Sequence, residues 1–313
     1  MAVAELKRPD FKVDTRPDWC PGCGDFGILN AIRQALANMR LEPHNVAVVS
    51  GIGCSGKTPH YIGTYGFHTL HGRALPFATG IKLANRELTV IAVGGDGDGY
   101  GIGAGYFVNT GRRNLDFTYI VFNNGVYGLT KGQASPTLGR GEQTKSMSEA
   151  AIQDGINPIG LAISSGYTFV ARGYAMDPRG LAKLIADAVR HRGTSFIDVL
   201  QPCPVYNDKQ TVEWYMGRDR EDKQRRVYQL IEEGFDPVVR DPSNVDEIVQ
   251  KKQIALAKSY EWGDRIPIGV LFQIDMPTFE DGLDLRRPDG SKGAIMKQAA
   301  PYQDFSSVLG RFR

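Results

Sequence analysis

Between Val46 and Gln201 the chain alternates short β-branched runs with helix-length amphipathic stretches. That alternation is the signature of a parallel sheet covered by helices on both faces. The strands it predicts are VAVVS (46–50), TVIAV (89–93), TYIVF (118–122), FVAR (169–172) and FIDVL (196–200). The expected fold class is therefore α/β, a doubly wound parallel sheet. Ahead of the first strand, Asp25 is placed to cap a helix whose apolar residues Ile28, Leu29, Ile32, Ala35, Leu36 and Met39 recur at three and four. A second helix is predicted after Pro178, with Leu181, Leu184, Ile185, Ala188 and Val189 on its buried side. After Pro204 the pattern degrades to a charged helix near Val245 to Tyr260, one apolar strand near Ile268 to Ile274 and a polar tail. The reading is a tail over 1–18, an α/β unit over 19–207 and an irregular extension over 208–313 that packs on that unit or on a partner.

Charge narrows the partners. With 37 basic and 35 acidic residues the net charge is +2, and no long block of one sign occurs. Neither nucleic acid nor an anionic membrane surface is expected as the main partner. The longest apolar runs, Leu88 to Val93 and Ile266 to Ile274, have strand length and fall short of the ~18 residues of a spanning helix. The opening residues carry no apolar leader, so the expected location is the cytoplasm. Four cysteines are too sparse for a secreted disulfide framework, and in a reducing compartment thiols serve chemistry or metals.

Glycine-rich segments follow the first three strands: GIGCSGKT, GGDGDGYGIGAG and NNGVYGLTKGQASP. In open α/β sheets ligands bind outside the carboxyl ends of strands, so three such segments are expected to converge on one site. The first matches the P-loop pattern from Gly51 to Thr58, and a nucleotide triphosphatase is one reading. Pro59, Gly63 and Gly66 oppose it, because a P-loop must feed a helix whose N-terminus faces the phosphates. The second opens with Gly95-Asp96-Gly97, which puts an acid where a dinucleotide's pyrophosphate would sit. A hard cation between Asp96 and a diphosphate resolves that repulsion, and the Asn123-Asn124 pair ending the next strand can supply a neutral oxygen.

The cysteines fall as one Cys20-x-x-Cys23 pair, Cys54 inside the first glycine-rich segment and Cys203 after the fifth strand. Four thiolates suit tetrahedral zinc or an iron–sulfur cluster, and the pair alone suits redox chemistry. One pair plus two distant singles favours the cluster over a zinc site built from two tight pairs. A non-catalytic iron–sulfur electron-transfer protein remains an alternative on these residues.

Gly-Asp-Gly followed just under thirty residues later by Asn-Asn resembles the thiamine diphosphate motif. With WCPGCG, GIGCSGK, HTLHGRA, GGDGD, NNGVYGLTKGQASPT and QPCPVYN in order from Trp19 to Asn207, the chain resembles the β subunit of archaeal-type 2-oxoacid:ferredoxin oxidoreductases. The resemblance implies a sheet of the thiamine diphosphate-binding type that carries thiamine diphosphate, magnesium (Mg2+) and one [4Fe-4S] cluster. It assigns the cluster to Cys20, Cys23, Cys54 and Cys203, and the magnesium to Asp96, Asn124 and the Val126 carbonyl. Ile52, Gly53, Cys54, Ser55, Gly97, Asp98, Gly128 and Leu129 are then expected to line the cofactor. His71 is a candidate contact to diphosphate or substrate, and Lys57 and Leu129 are expected to flank the substrate pocket. The implied reaction is oxidative decarboxylation of a 2-oxoacid, with coenzyme A taking the acyl group and electrons passing through the cluster to ferredoxin. Only one Gly-Asp-Gly to Asn-Asn half is present, so an α subunit is expected to complete the site, as αβ or α2β2. The chain beyond Tyr215 carries no transferable motif.

Overall fold

The computed structural model of the protein describes residues 10–286. Residues 1–9 of the expected tail and 287–313 of the expected extension lie outside the described residues. In chain order the elements are α1 (Asp25–Asn38), β1 (Val46–Ser50), β2 (Tyr65–His68), α2 (Ala74–Ala84), β3 (Thr89–Gly95), α3 (Ala104–Arg113) and β4 (Thr118–Asn123). A small hairpin follows, β5 (Val126–Tyr127) and β6 (Gln133–Ala134), and then α4 (Pro158–Ser165), β7 (Phe169–Tyr174), α5 (Pro178–Arg190) and β8 (Ser195–Leu200). The remainder forms α6 (Val212–Tyr215), β9 (Val227–Gln229), α7 (Val245–Ser259), β10 (Ile266–Gln273) and α8 (Phe279–Leu285).

Eight strands form one sheet in the order β2-β1-β3-β4-β8-β7-β10-β9. Every neighbouring pair is parallel except β10 with β7. The five strands expected from the sequence are its centre, and β1, β7 and β8 are buried along their whole length, as strands covered on both faces must be. One face packs on α1 and α5 through Ile28, Ile32, Leu36, Leu181 and Ile185. The other packs on α2, α3, α4 and α7 through Leu75, Phe107, Ile159 and Ala255.

Local chemistry explains several boundaries. Asp177 caps α5 by accepting from Gly180 N at 3.0 Å, with Pro178 in the first turn where its missing N–H costs nothing. The start of α1 differs from expectation. Its cap is Gly24, and Asp25 stands in the first turn with its side chain buried among the strand ends. The run after β1 is a 3₁₀ helix, Ser55–Tyr61, interrupted by Pro59 and followed by β2. No α-helix receives β1, so the P-loop reading fails for the reason that Pro59 suggests. The charged helix and the apolar strand expected in the extension are present as α7, which lies over α4, and β10, which pairs with β7, while β9, paired with β10, is a strand the sequence pattern does not announce. Among the described residues no helix is long and apolar enough to cross a membrane.

Candidate active site

The carboxyl ends of β1, β3 and β4 open on a cleft of about 140 Å³. Its walls hold Ile52, Gly53, Cys54 and Ser55 from the turn after β1, His71 from the turn after β2, and Asp96, Gly97 and Asp98 from the turn after β3. Asn124, Val126, Gly128 and Leu129 come from the segment after β4. Four loops distant in sequence thus meet because parallel strands put all their carboxyl ends at one edge.

Two buried carboxylates organise the cleft. Asp96 Oδ1 accepts from Gly97 N at 3.0 Å. Its Oδ2 accepts from Gly125 N at 2.8 Å, Ser135 Oγ at 2.5 Å and Thr137 Oγ1 at 2.6 Å. Burial pushes this carboxyl above its ordinary value, and the four donors oppose that push. Asp98 Oδ1 accepts from His71 Nδ1 at 2.7 Å, Gly72 N at 2.7 Å and Ile52 N at 2.9 Å, which ties the turns after β1, β2 and β3 together. An ionised carboxylate only accepts, so Nδ1 of His71 carries the proton and Nε2 is left for a ligand. Gly51 is glycine for a reason visible here: a Cβ would stand 1.9 Å from Asp98 Oδ2.

Asn123 and Asn124 divide between two environments. Asn124 lines the cleft, with its Oδ1 accepting from Val126 N at 3.0 Å. Asn123 turns to the opposite wall, donating through Nδ2 to Asp198 Oδ1 at 3.0 Å, and its Oδ1 lies 2.8 Å from Thr137 Oγ1, whose one proton serves either this oxygen or Asp96.

The cysteine segments are stitched to one another beside the cleft. Trp19 Nε1 donates to the Cys54 carbonyl at 2.8 Å, Gly24 N donates to the Pro202 carbonyl at 3.3 Å, and Gln201 Nε2 contacts Cys23 Sγ at 3.1 Å. All four thiols are free, with Cys20 exposed and Cys203 buried. Burial pushes the Cys54 thiol up to about 12, and the Cys23 and Cys203 thiols also rise, mainly from burial. Cys23 also feels the charge of Asp25, Cys203 and Cys54, and Cys54 that of Asp25, Cys203 and Cys20. Such thiols are poor free nucleophiles and ionise only beside a strong positive centre. Among the described residues no three Cys, His, Asp or Glu side chains sit close enough to hold a single metal ion ready-made.

Lys57 is also drawn elsewhere. It does not line the cleft, and its ammonium is 3.0 Å from both carboxylate oxygens of Asp18. Asp25, Tyr127, Ser135 and Thr137 are site residues that the sequence reading did not single out. Asp25 lines the cleft with Oδ2 lacking any partner, and burial raises its carboxyl to about 7. The tyrosine, serine and threonine all lie within the long NNGVYGLTKGQASPT motif, the signal that could have pointed to them.

Residues 51–199 match the family model described as thiamine pyrophosphate enzyme, C-terminal TPP binding domain, and 203–286 match the C-terminal family model of the pyruvate ferredoxin oxidoreductase beta subunit. A 2-oxoacid:ferredoxin oxidoreductase subunit beta from Saccharolobus solfataricus is 56% identical over 301 residues, covering 93% of this chain and 95% of that protein. The chain belongs to the 2-oxoacid:ferredoxin oxidoreductase β-subunit family. Subunit beta of 2-oxoacid:ferredoxin oxidoreductase 1 from Aeropyrum pernix, another member, is 52% identical over 303 residues, covering 96% of this chain and 92% of its own. In structure, the β-subunit fold resembles a solved chain of 2-oxoglutarate:ferredoxin oxidoreductase from Magnetococcus marinus, which was determined with 2-oxoglutarate, coenzyme A and succinyl-CoA bound. The TM-score is 0.79 at 30% identity, over 100% of this chain and 98% of that one. Membership accounts for the Gly-Asp-Gly and Asn-Asn segments meeting at one cleft, and it leaves the P-loop and non-catalytic readings without support.

Proposed function

We propose that this β subunit holds thiamine diphosphate through Mg²⁺ in the Asp96 cleft, binds one [4Fe-4S] cluster through Cys20, Cys23, Cys54 and Cys203, and oxidatively decarboxylates a 2-oxoacid to its acyl-CoA with ferredoxin as acceptor. The observation that carries this reading is the meeting of a buried acid, Asp96, with Asn124 and Val126 in a cleft that Cys54 also lines. The donor set fits both groups. Asp96 and Asn124 side-chain oxygens and the Val126 carbonyl are hard oxygens of the kind Mg²⁺ takes, and Asp96 Oδ1 has a single protein donor. Four soft thiols on three stitched segments suit an iron–sulfur cluster, whose cage spans more space than one ion.

When bound, thiamine diphosphate supplies the carbanion stabilisation that decarboxylation needs, and the cluster supplies one-electron transfer. The chain's own part is orientation. Asp98 holds Nδ1 of His71, which lines the cleft, and so leaves Nε2 to hold a hydrogen bond to an anionic ligand group. Leu129, exposed at the cleft's edge, offers an apolar wall to the substrate's side chain. Lys57 reaches a substrate carboxylate only by leaving Asp18.

The cleft supports the half-site reading. About 140 Å³ is below the ~300 Å³ at which small-molecule sites begin. Leu129 is exposed on its wall, Leu70 is exposed next to His71 in sequence, and Ile102 is exposed beside Gly72. An α subunit laid over this apolar rim would enlarge and close the site. The reading places 19–207 as the cofactor unit with 208–313 as its extension and 1–18 as a tail, and the protein in the cytoplasm, where four free cysteines stay reduced.

The test is 2-oxoacid- and coenzyme-A-dependent reduction of ferredoxin or a viologen dye, by the cofactor-loaded chain alone and after mixing with its α subunit. Turnover only in the mixture is expected. Equal turnover by the chain alone would refute the half-site, and none in the mixture, with thiamine and iron both present, would refute the activity.

A further inference from the structure

Gln201 immediately follows β8 and is 1% exposed. Its backbone N–H donates to the Asn123 carbonyl at 2.8 Å, which carries the pairing of β8 with β4 one residue past the strand and fixes where the side chain leaves the sheet. Cys203 comes two residues later. The side chain itself runs back to the Cys20-x-x-Cys23 segment, where Nε2 lies 3.1 Å from Cys23 Sγ and 3.0 Å from the Pro202 carbonyl. It packs closely on Gly24, where a Cβ would stand 2.7 Å from Gln201 Cγ. Glycine at that position leaves room for the amide.

The orientation of the amide follows from its neighbours. The Pro202 carbonyl only accepts, so the amide atom 3.0 Å from it is the nitrogen, and the reverse orientation would set two oxygens against each other. The second amide proton is then free for Cys23 Sγ. Oε1 has no protein partner, so no competing bond draws the group away. No other side-chain N–H among the described residues donates to a cysteine sulfur, and Trp19 Nε1 goes to the Cys54 carbonyl instead. The remaining donors belong to the main chain. The N–H groups of Val205, Tyr206 and Asn207 draw the Cys203 thiol down against its burial, and that of Asp25 does the same for Cys23.

An iron–sulfur cluster gains one negative charge on reduction, and part of that charge resides on its sulfurs. A donor aimed at a ligand sulfur therefore stabilises the reduced state more than the oxidised one, and the effect is strongest where water is excluded. Hydrogen bonds to the sulfurs are among the factors that set a cluster's potential. We propose that Gln201 is a positioning residue of the cluster site, whose buried amide donates to Cys23 Sγ and raises the cluster's reduction potential, so that the cluster is easier to reduce from the cofactor cleft. The inference rests on the cluster reading given above. Gln201 acts through Cys23 and touches neither substrate nor thiamine diphosphate.

The test is an anaerobic redox titration of the full, cluster-loaded chain at one pH, with the reduced cluster followed by electron paramagnetic resonance. Gln201→Met keeps the length of the side chain and removes the donor, while the Pro202 carbonyl still accepts from Gly24 N at 3.3 Å. The midpoint of this variant is expected to fall by the equivalent of about tenfold in the ratio of oxidised to reduced cluster, ~59 mV for one electron. A second measurement needs no variant: native chain labelled with 15N in its glutamine side-chain amides is expected to show a 15N hyperfine coupling to the reduced cluster. Iron and sulfide at about four per chain in both proteins, with an unchanged or raised midpoint in Gln201→Met, would overturn the inference and leave the cluster reading standing. So would the absence of a 15N coupling in the iron-loaded native chain, which decides the matter if Gln201→Met fails to hold iron. Zinc without sulfide in the native chain would overturn both.

Discussion

His71 Nδ1 lies 2.7 Å from Asp98 Oδ1, and the same oxygen receives the backbone N–H groups of Gly72 and Ile52. One carboxylate oxygen therefore holds the turns after β1 and β2 against the turn after β3. Asp98 itself is buried between Gly51 and Gly94, where a Cβ on either glycine would meet its Oδ2 at 1.9 or 2.8 Å.

Asp98→Ala is expected to orphan two backbone donors and release His71, at a cost of roughly 1–3 kcal/mol for each donor left unsatisfied. Thermal unfolding of the full chain should shift down by several degrees, and thiamine diphosphate affinity should fall with it. An unchanged midpoint would show that the three turns hold their shape without this clamp.

Thr137 Oγ1 bridges Asp96 Oδ2 at 2.6 Å and Asn123 Oδ1 at 2.8 Å. Thr137→Val keeps the shape and removes the bridge, so Asp96 retains Gly97, Gly125 and Ser135 as donors. Groups that orient a metal ligand typically contribute about 10–100-fold in metal affinity. Magnesium-dependent binding of thiamine diphosphate, followed by fluorescence titration, should weaken by that range in the variant. Native affinity would remove Thr137 from the support of Asp96.

Asp25 and Asp198 are both raised by burial, to about 7 and about 6. A carboxyl raised on folding binds more protons in the native than in the unfolded chain between about pH 4 and its folded value. Its contribution to stability is therefore full below pH 4 and is lost as the pH rises towards 7. Asp25→Asn should flatten that loss in the cluster-free chain, by up to about 1.4 kcal/mol per pH unit in the window. Urea unfolding at pH 4.5 and 7 measures it, and parallel losses in native and variant chains would contradict it.

The two cofactor groups should separate by mutation. Asp96→Ala is expected to lose thiamine diphosphate while the brown absorbance of the cluster persists, because the acid that anchors the cation is gone and the thiols are intact. Cys203→Ser is expected to lose iron and sulfide, from about four irons per chain in anaerobic protein, while thiamine diphosphate still binds. Stoichiometric zinc without sulfide in the native chain would end the cluster reading.

What the sequence alone determined was local or chemical in kind. Short β-branched runs placed the five central strands, and a period of 3.6 placed helices α1 and α5, since both signals are set within a single element. The acid in Gly95-Asp96-Gly97 raised the expectation of a cation, because its charge would repel a diphosphate whatever the fold. Tertiary structure decided the rest. It turned Asn124 to the cleft and Asn123 to Asp198. It brought Ser135 and Thr137 to Asp96 across about forty residues, made Asp98 a clamp between three turns, set the expected apolar strand β10 antiparallel to β7, and added β9, which the degraded pattern after Pro204 did not announce. These are contacts between segments far apart in the chain. Whether a serine hydroxyl finds a buried carboxylate depends on where the sheet's twist and its loops deliver both ends, which no local period encodes.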